Sequence, residues 1–245
     1  MEKSKAFRVC TSFLICATSQ ARLSDLNLKI GRFERGSQNA ITDVSGVSVA
    51  HKTIIEGDGK LVPGKGPFRT GVTVILPSKG DLWNEKLAAG SFVLNGNGEA
   101  MGLMWVQESG LLETPIALTN TLNVSTAQRG VVDWMLKKKP KLGVSDDTFT
   151  PLVFECDDSS LNDIQGQPFT AADVANLLDK APSKFPEEGS VGAGTGMMSY
   201  EFKGGIGTSS RKVTIDKKEY TLGVLVNANH GRRNQLRFLG TPLGE

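Results

Sequence analysis

The chain has 245 residues, of which 22% are charged and 39% hydrophobic, and its formal net charge is +2. These values are ordinary for a globular protein long enough to bury a sizeable core. They do not support electrostatic binding of nucleic acid, which usually needs a clustered basic excess, and no apolar stretch is long enough for a membrane span. The one dense basic run, KKKPK at 137–141, is interpreted as a solvated helix end.

The first residues, MEKSKAFRVCTSFLICATSQA, resemble a secretory signal peptide. Three basic residues precede a short apolar run from Val9 to Ala17, and small residues follow it. The alternative for residues 1–21 is an N-terminal arm that docks on a partner subunit. A cleaved signal would make the protein periplasmic or secreted, and otherwise it would be cytoplasmic. Two of the three cysteines, Cys10 and Cys16, lie in this segment.

Short strand-like runs and glycine-rich turns follow. SGVSVAHKTII, GVTVILP and TPIALTNT are each predicted to form a strand, and Pro77 ends the second one. The stretch GSFVLNGNGEAMGLMWVQESG is predicted to contain a strand, a turn and a second strand. Leu152 to Phe154 form an apolar strand with Glu155 at its end. The pattern indicates a mixed α/β chain with mostly antiparallel strands.

Two helices are predicted between these strands. NVSTAQRGVVDWMLKKK begins with Ser125 as a possible cap, and its apolar residues at helical spacing are Val131, Val132, Met135 and Leu136. In TAADVANLLDKA, Thr170 and Asp173 have the spacing of a capping box. The predicted buried stripe of this second helix consists of Val174, Leu177 and Leu178.

The closing segment, YTLGVLVNANHGRRNQLRFLGTPLGE, is predicted to begin as a buried strand. Leu222, Val224 and Val226 would share one face, with Leu225 on the other. Polar residues, among them Asn229, then follow at the tip of the strand. The residues alone leave open why a strand carries polar amides at its tip.

Familiar catalytic motifs are missing from the sequence. EEGSVGAGTGM has neither the Walker A nor the dinucleotide-binding spacing, so its glycines are interpreted as serving tight turns and close packing. Ser209 and Ser210 follow a double glycine, but the two histidines, His51 and His230, have no triad context. No CxxC pair or zinc-ligand spacing occurs, so no metal or cofactor is predicted.

Glu155 is the most interesting acidic residue. A carboxylate at a strand end, beside a loop, can hold an ammonium group through charge-assisted hydrogen bonds. The alternative is an exposed acidic loop that also includes Asp157, Asp158 and Asp163. Composition alone favours the exposed loop over the ammonium site.

Several motifs, taken together and in order, change that preference. They are SGVSVAH, GVTVILP, NGNGE, ESGLLETPIALTNT, FECDDSSLNDIQG, VGAGTGM, FKGGIGTSSR and GVLVNANHGRRNQL. In this order they resemble the L-aminopeptidase/D-Ala-esterase/amidase family, which includes the β-peptidyl aminopeptidases. The resemblance runs from about Asn39 to Glu245, nearly the whole chain beyond the leader.

The resemblance implies an αββα sandwich similar to the N-terminal-nucleophile hydrolases. Members are made as one inactive chain that cleaves itself into α and β pieces, and the new N-terminal serine of the β piece is the nucleophile. Its own α-amine and neighbouring groups assist it, so no histidine is required. Residues 22–245 would then be a single domain, incomplete without a β piece as partner, in a protein that forms a homo-oligomer.

The resemblance also assigns two site residues. Asn229 matches the asparagine whose side-chain amide helps to form the oxyanion hole, and Glu155 matches the acidic residue that binds the free amino group of the substrate. Two positions depart from the family pattern: Asp157 replaces a frequent aromatic residue, and Thr148, next to Phe149, replaces a common tryptophan. These changes put the side-chain preference in doubt, and the extra carboxylate of Asp157 could favour basic amines.

The implied activity is that of a serine aminopeptidase, with amidase and esterase activity, that releases N-terminal residues from small peptides, amides and esters. Two alternatives stay open. One is a non-catalytic remnant that keeps the interfaces of the fold, and the other is an acyltransferase of the ornithine acetyltransferase kind, which passes the acyl group to an amine instead of water. The substrate residue and its α or β connectivity do not follow from the sequence.

Overall fold

A computed structural model describes residues 30–181 and 185–244. The predicted signal peptide or N-terminal arm at 1–21, with Cys10 and Cys16, lies outside the described residues. Every helix and strand given below belongs to a compact unit that begins at Arg32. No helix among the described residues has the length and apolar character needed to cross a membrane.

In residues 30–181 and 185–244, the regular structure consists of thirteen strands, three α-helices and several 3-10 turns. The strands are β1 (Ser48–Glu56), β2 (Phe68–Leu76), β3 (Leu87–Ala88), β4 (Ala100–Met101), β5 (Leu111–Leu112), β6 (Ile116–Asn120), β7 (Leu152–Cys156), β8 (Met198–Ser199), β9 (Phe202–Lys203), β10 (Gly205–Ile215), β11 (Lys218–Ala228), β12 (Arg237–Phe238) and β13 (Thr241–Pro242). The helices are α1 (Leu103–Ser109), α2 (Val124–Lys138) and α3 (Ala171–Lys180).

Five of the strands form the central sheet, in the order β1-β2-β6-β7-β4. Its neighbours are antiparallel except β6 and β7, which run parallel. Because β6 and β7 are parallel, their carboxyl ends lie side by side, and Thr119 of β6 is the register partner of Glu155. The remaining strands form two-stranded pairs, of which the longest is the hairpin of β10 and β11. The predicted strands at SGVSVAHKTII, GVTVILP and TPIALTNT are therefore confirmed.

Helices α2 and α3 cover one face of the central sheet. The main core lies between these helices and the sheet. It contains fully buried Val72 and Val74 of β2, Val131 of α2 and Val174 of α3. Thr170 and Asp173 form the predicted capping box, each side chain bonding the backbone of the other residue. The KKKPK run begins at the end of α2, where Lys137 and Lys138 pair with Asp179, in keeping with a solvated helix end.

The other face of the sheet lies against the hairpin. A cavity of about 260 Å³ separates them, lined from the sheet by Ile75, Ile116, Leu118 and Phe154 and from β11 by Leu225 and Asn227. The chain thus supplies one helix layer and two layers of strands. This arrangement agrees with the predicted sandwich of mostly antiparallel sheets.

Three local predictions were wrong. Ser125, predicted to cap α2, lies inside the helix, which begins at Val124, and Asn120 caps the preceding 3-10 turn by accepting a hydrogen bond from the Asn123 N–H. Of the strand, turn and strand predicted around NGNGE, the first strand is absent at residues 91–94, and the second is limited to the two residues of β4, followed by helix α1, which starts after Gly102 in the left-handed region at φ +83°. Alternation of apolar residues over so short a stretch does not distinguish a strand from a helix.

The third wrong prediction concerns the closing strand, β11. Leu222, Val224 and Val226 do share one face, but they are 58%, 44% and 47% exposed, whereas Leu225 on the other face lines the cavity. An apolar alternation predicts which residues share a face. It does not predict whether the same chain covers that face.

Candidate active site

The carboxyl ends of β7 and β11 lie next to each other. The Sγ atom of Cys156 is 3.9 Å from the carbonyl oxygen of Asn227, and the Nδ2 atom of Asn229 donates a 2.7 Å hydrogen bond to the carbonyl of Asp157. Glu155 and Asn229, which lie 74 positions apart in the sequence (229 − 155), are therefore on neighbouring segments, and Glu155 also lines the cavity.

In the part of the chain that the structure describes, Glu155 is held by neutral donors only. Its Oε1 atom accepts a 2.7 Å hydrogen bond from the Glu99 N–H, and Oε2 accepts a hydrogen bond from the Thr121 hydroxyl. Among the described residues, no lysine, arginine or histidine forms an ion pair with it. The carboxylate is thus fixed in place, while its negative charge has no partner in the described part of the chain.

The loop opposite Glu155 needs a glycine. Gly98 has a φ of +147°, and a Cβ atom there would lie 2.9 Å from Oε1 of Glu155. A side chain at this position would therefore press on the carboxylate, and only glycine adopts this backbone conformation without strain. The NGNGE motif thus supplies both the close approach and the N–H of Glu99 that anchors the carboxylate.

The amide of Asn229 is also fixed. Its nitrogen donates to the carbonyl of Asp157 and lies 3.3 Å from the Sδ atom of Met197, which is fully buried. A primary amide has two N–H donors, and a thioether is a weak acceptor. One donor is therefore engaged by a strong acceptor, while the other faces a contact that a better acceptor could replace.

The two departures from the family pattern lie outside this arrangement. The Asp157 side chain is exposed and accepts a 2.8 Å hydrogen bond from the Ser159 N–H, so it is turned into its own loop. Only its backbone carbonyl contacts Asn229. Thr148 is exposed, and Phe149 packs against the main core.

Asp158, the next residue, is buried in a polar network that the sequence analysis missed. Its side chain accepts hydrogen bonds from the Thr70 hydroxyl at 2.6 Å, the Asn120 amide at 3.1 Å and the Asn162 amide at 2.9 Å. Burial raises the pKa of the Asp158 carboxyl above its ordinary value. The spacing of Asp158 and Asn162 within FECDDSSLND was a signal for this network, because residues four apart can meet in a turn.

The network corrects the alternative interpretation of this loop. Asp158 and Asp163 are 1% and 2% exposed, so the segment is not an exposed acidic loop, and only Asp157 fits that description. Asp163 accepts a 2.8 Å hydrogen bond from the Gly66 N–H. Both buried carboxylates therefore tie the segment after β7 to neighbouring parts of the chain.

Cys156 and His51 are not activated groups. Burial raises the pKa of Cys156 to about 11, so its thiol stays neutral. Burial lowers the pKa of His51 to about 4, and its Nδ1 atom lies 2.8 Å from the Thr73 hydroxyl. His230 packs edge-on against Tyr200, with ring centroids 4.8 Å apart.

Ser209 and Ser210 have structural partners. The Ser209 hydroxyl lies 2.9 Å from Oδ1 of Asn39, and the Ser210 hydroxyl donates to Asp43 at 2.6 Å. Neither serine has a hydrogen bond to a histidine within the described residues. In the part of the chain that the structure describes, the arrangement needed for a Ser-His-Asp triad is therefore absent.

The glycine-rich loop VGAGTGM packs closely, as its sequence suggested. A Cβ atom at Gly194 would lie 2.5 Å from the Ile206 nitrogen, and one at Gly196 would lie 2.2 Å from the Arg69 carbonyl oxygen. The loop also places Met197 against Asn229. Within residues 30–181 and 185–244, no group of three or more potential ligand side chains has the geometry to hold a metal ion.

Comparisons with known proteins identify the family. A family model described as "Peptidase family S58" matches residues 39–245. A β-peptidyl aminopeptidase, BapA, of Sphingosinicella xenopeptidilytica is 49% identical over 210 residues, covering 86% of this chain and 52% of that protein. The BapA of Sphingosinicella microcystinivorans is 44% identical over 211 residues, with the same coverage of 86% and 52%. The chain thus spans about half the length of the curated relatives it matches.

Solved structures support the same family and the fold. The PH0078 protein of Pyrococcus horikoshii superposes with a TM-score of 0.88 at 51% identity, covering 90% of this chain and 62% of that one. A Burkholderia β-aminopeptidase gives 0.84 at 45% identity, with 91% and 61% covered. The L-aminopeptidase D-Ala-esterase/amidase of Ochrobactrum anthropi gives 0.82 at 40%, also with 91% and 61% covered. That last structure is described as a new variant among the Ntn hydrolase fold, which confirms the predicted fold class.

Proposed function

The chain belongs to peptidase family S58, and on that premise we propose that it is the α part of a self-processing serine aminopeptidase with amidase and esterase activity. The substrate is a small peptide, amide or ester with a free amino terminus. The nucleophile is the N-terminal serine of a β piece that pairs with this chain. The names of its relatives, which include β-peptidyl aminopeptidases and an L-aminopeptidase, favour this class of reaction.

The observation that carries the proposal is the state of Glu155. The carboxylate is anchored by the Glu99 N–H and the Thr121 hydroxyl and has no cationic partner in the described residues. A substrate ammonium is such a partner, and an ammonium–carboxylate contact is a charge-assisted hydrogen bond, stronger than a neutral one. Glu155 therefore selects substrates with a free amino terminus.

Asn229 supplies the second part of the reaction. When the serine attacks the substrate carbonyl, negative charge develops on the carbonyl oxygen, and a fixed amide donor stabilises that charge. The hydrogen bond to the Asp157 carbonyl holds the Asn229 side chain in one orientation. The second N–H, which faces only the weakly accepting Sδ atom of Met197, is the donor left for the developing negative charge.

Two observations favour a β piece as the partner. The exposed apolar face of β11, formed by Leu222, Val224 and Val226, is the kind of surface that another segment covers. The curated relatives are also about twice as long as the matched region. Neither Ser209 nor Ser210 has a hydrogen bond to a histidine in the described residues, and both hydroxyls bond to structural partners, so an external nucleophile suits the site better.

The test compares residues 1–245 with a full-length protein that also carries the β piece. We expect the full-length protein to cleave itself and to hydrolyse a chromogenic alanine amide, while residues 1–245 alone show no turnover. Turnover by residues 1–245 alone would refute the proposal and point to Ser209 or Ser210.

The requirement for an amine acceptor distinguishes an acyltransferase from an aminopeptidase. Hydrolysis of the same amide by the full-length protein, with no added amine, is expected for an aminopeptidase. Product that forms only when an amine acceptor is present would identify an acyltransferase instead.

A further inference from the structure

The ammonium group of Lys203 sits among backbone carbonyls at the base of the glycine-rich loop. Its Nζ atom donates to the carbonyl oxygens of Gly194 at 3.0 Å, Met197 at 3.1 Å and Gly204 at 2.7 Å. Lys203 lies on β9, and its register partner is Met198 of β8. The side chain thus folds back across the short hairpin that follows the loop.

The contacts of Lys203 are unusual for a lysine. No carboxylate of the described residues forms an ion pair with it. An ammonium group has three N–H donors, and the structure gives it three carbonyl acceptors. Its partial removal from water lowers the pKa of Lys203 below the usual lysine value, so the carbonyl oxygens replace part of its hydration.

The three carbonyls need the cation. Their oxygens point to one place, so their dipoles would repel one another if that place held no positive charge. Lysine suits it, since its ammonium is a compact point charge on a flexible stem, whereas arginine carries a planar fork. The loop also has little freedom to relax, since a Cβ at Gly194 or Gly204 would lie within 2.5 Å of backbone atoms.

One of these carbonyls belongs to the residue that contacts Asn229. The Met197 carbonyl accepts from Lys203 and, at 2.8 Å, from the Gly204 N–H. The Sδ atom of the same residue lies 3.3 Å from the Asn229 amide nitrogen, and Met197 is fully buried. A shift of the Met197 backbone would therefore move the atom against which the amide rests.

We propose that Lys203 is a positioning residue. Its ammonium group holds the carbonyls of Gly194, Met197 and Gly204 together and, through Met197, sets the orientation of the Asn229 amide. The inference rests on the role proposed above for Asn229 and adds the element that fixes it. Lys203 itself does not contact the substrate. Its place can be taken by a small ammonium ion of similar size, because the binding groups are backbone carbonyls.

The experiment removes the tethered ammonium and supplies it from solution. In the full-length protein, Lys203→Ala is expected to lower kcat by roughly 10–100-fold with little change in KM, since a small misplacement of a catalytic group can cost about that much. Ethylammonium, which matches the end of the missing side chain, is expected to restore much of kcat. Tetramethylammonium at the same concentration carries the charge without any N–H donor and is expected to restore nothing.

Two control variants separate the cation site from general charge effects. Lys203→Met fills the stem but carries no charge, so it should lose activity and should not respond to ethylammonium. Lys212→Ala removes a lysine that pairs with Glu219 at 3.3 Å on the hairpin, so it should keep wild-type kcat. A wild-type kcat in Lys203→Ala, no rescue, or equal rescue by both ammonium ions would overturn the proposal.

Thermal unfolding gives a readout that does not depend on the reaction. Ethylammonium should raise the Tm of Lys203→Ala, while that of Lys203→Met should not change. If ethylammonium raises the Tm of Lys203→Ala but the wild-type protein shows no measurable hydrolysis, the cation site is supported and the proposed function is wrong. If Lys203→Ala folds only with ethylammonium present, the cation site is supported, and if it is unfolded with and without the ion, the proposal is wrong.

Discussion

Glu155 and Asp158 are three positions apart, yet their carboxylates are in opposite situations. Asp158 is 1% exposed and accepts hydrogen bonds from three side chains, so its acceptor capacity is largely used within the fold. Glu155 is only partly buried and accepts two hydrogen bonds from neutral groups. One carboxylate therefore holds the loop in place, and the other is held in place with its charge unmatched.

The two carboxylates near the end of β7 therefore have different roles. Asp158 anchors the loop to β2 and β6, and this fixes the preceding carbonyl of Asp157, which receives the Asn229 amide. Substitutions in the buried network around Asp158 should mainly lower the stability of the fold, whereas substitutions of Glu155 or Asn229 should mainly lower the rate of the reaction.

The largest expected effect is on the rate, at Asn229. In the full-length protein, Asn229→Ala should lower kcat by about 10²–10³-fold, the usual value of one oxyanion donor, and should change KM far less. Steady-state kinetics with the alanine amide measure both constants. Asn229→Asp, which keeps the shape and removes the amide donor, is the matched control and should be similarly slow. Turnover within a few-fold of wild type in a folded, self-cleaved variant would eliminate the role of Asn229.

The next effect is on stability, at Asp158. Asp158→Asn places an amide donor where three donors converge, so it should lower the free energy of unfolding by about 1–3 kcal/mol. Denaturant unfolding of residues 1–245 measures this change. Asp157→Asn is the control, because that side chain is exposed and contacts only its own loop. Equal losses in the two variants would show that the buried network does not hold the loop.

The pKa shift of Asp158 determines whether the stability difference between wild type and Asp158→Asn grows or shrinks with pH. The pKa of Asp158 is raised in the folded state, so its protonated form is favoured by folding. The resulting stability is present at low pH and is lost as pH rises through the folded pKa. The stability difference between wild type and Asp158→Asn should therefore narrow as pH rises. A difference that widens over that range would mean that the folded pKa is not raised.

The smallest effect is expected on the uncovered face of β11. Val224→Ser should change the stability of residues 1–245 by no more than about 0.5 kcal/mol, as is usual for exposed positions, but should weaken association with the β piece. Val131→Ser, in the core of α2, is the contrast and should cost about 2 kcal/mol or more, because it removes buried apolar volume and adds a hydroxyl. A large loss of stability in Val224→Ser alone would show that the hairpin face is already packed.

The sequence predicted the parts of this fold that depend on local chemistry. The capping box of α3 follows from the spacing of Thr170 and Asp173, and the end of β2 follows from Pro77. Helix α1 was missed because seven residues are too few to show a helical period. The exposure of β11 was missed because burial depends on what covers a strand.

The candidate site also contains some residues that the sequence predicted and others that it did not. Glu155 and Asn229 were predicted from their motifs, and the structure places their segments next to each other. The Asp158 network and the Lys203 contacts were not predicted, because they join residues far apart in the chain. Thr70 and Asp158, for example, are separated by 88 positions. Such pairs carry no local pattern, so only the folded structure reveals them.

The most direct test of the central claim measures charge recognition at Glu155. Glu155→Gln keeps the shape and removes the charge, so kcat/KM for a substrate with a free amine should fall about 5–150-fold, corresponding to about 1–3 kcal/mol for an unpaired buried charge. The N-acetylated counterpart, assayed in parallel, should change little. Asp157→Asn should leave the ratio of the two substrates near its wild-type value. Equal losses of kcat/KM on both substrates would contradict the account, because Glu155 would then be structural and the ammonium would bind elsewhere.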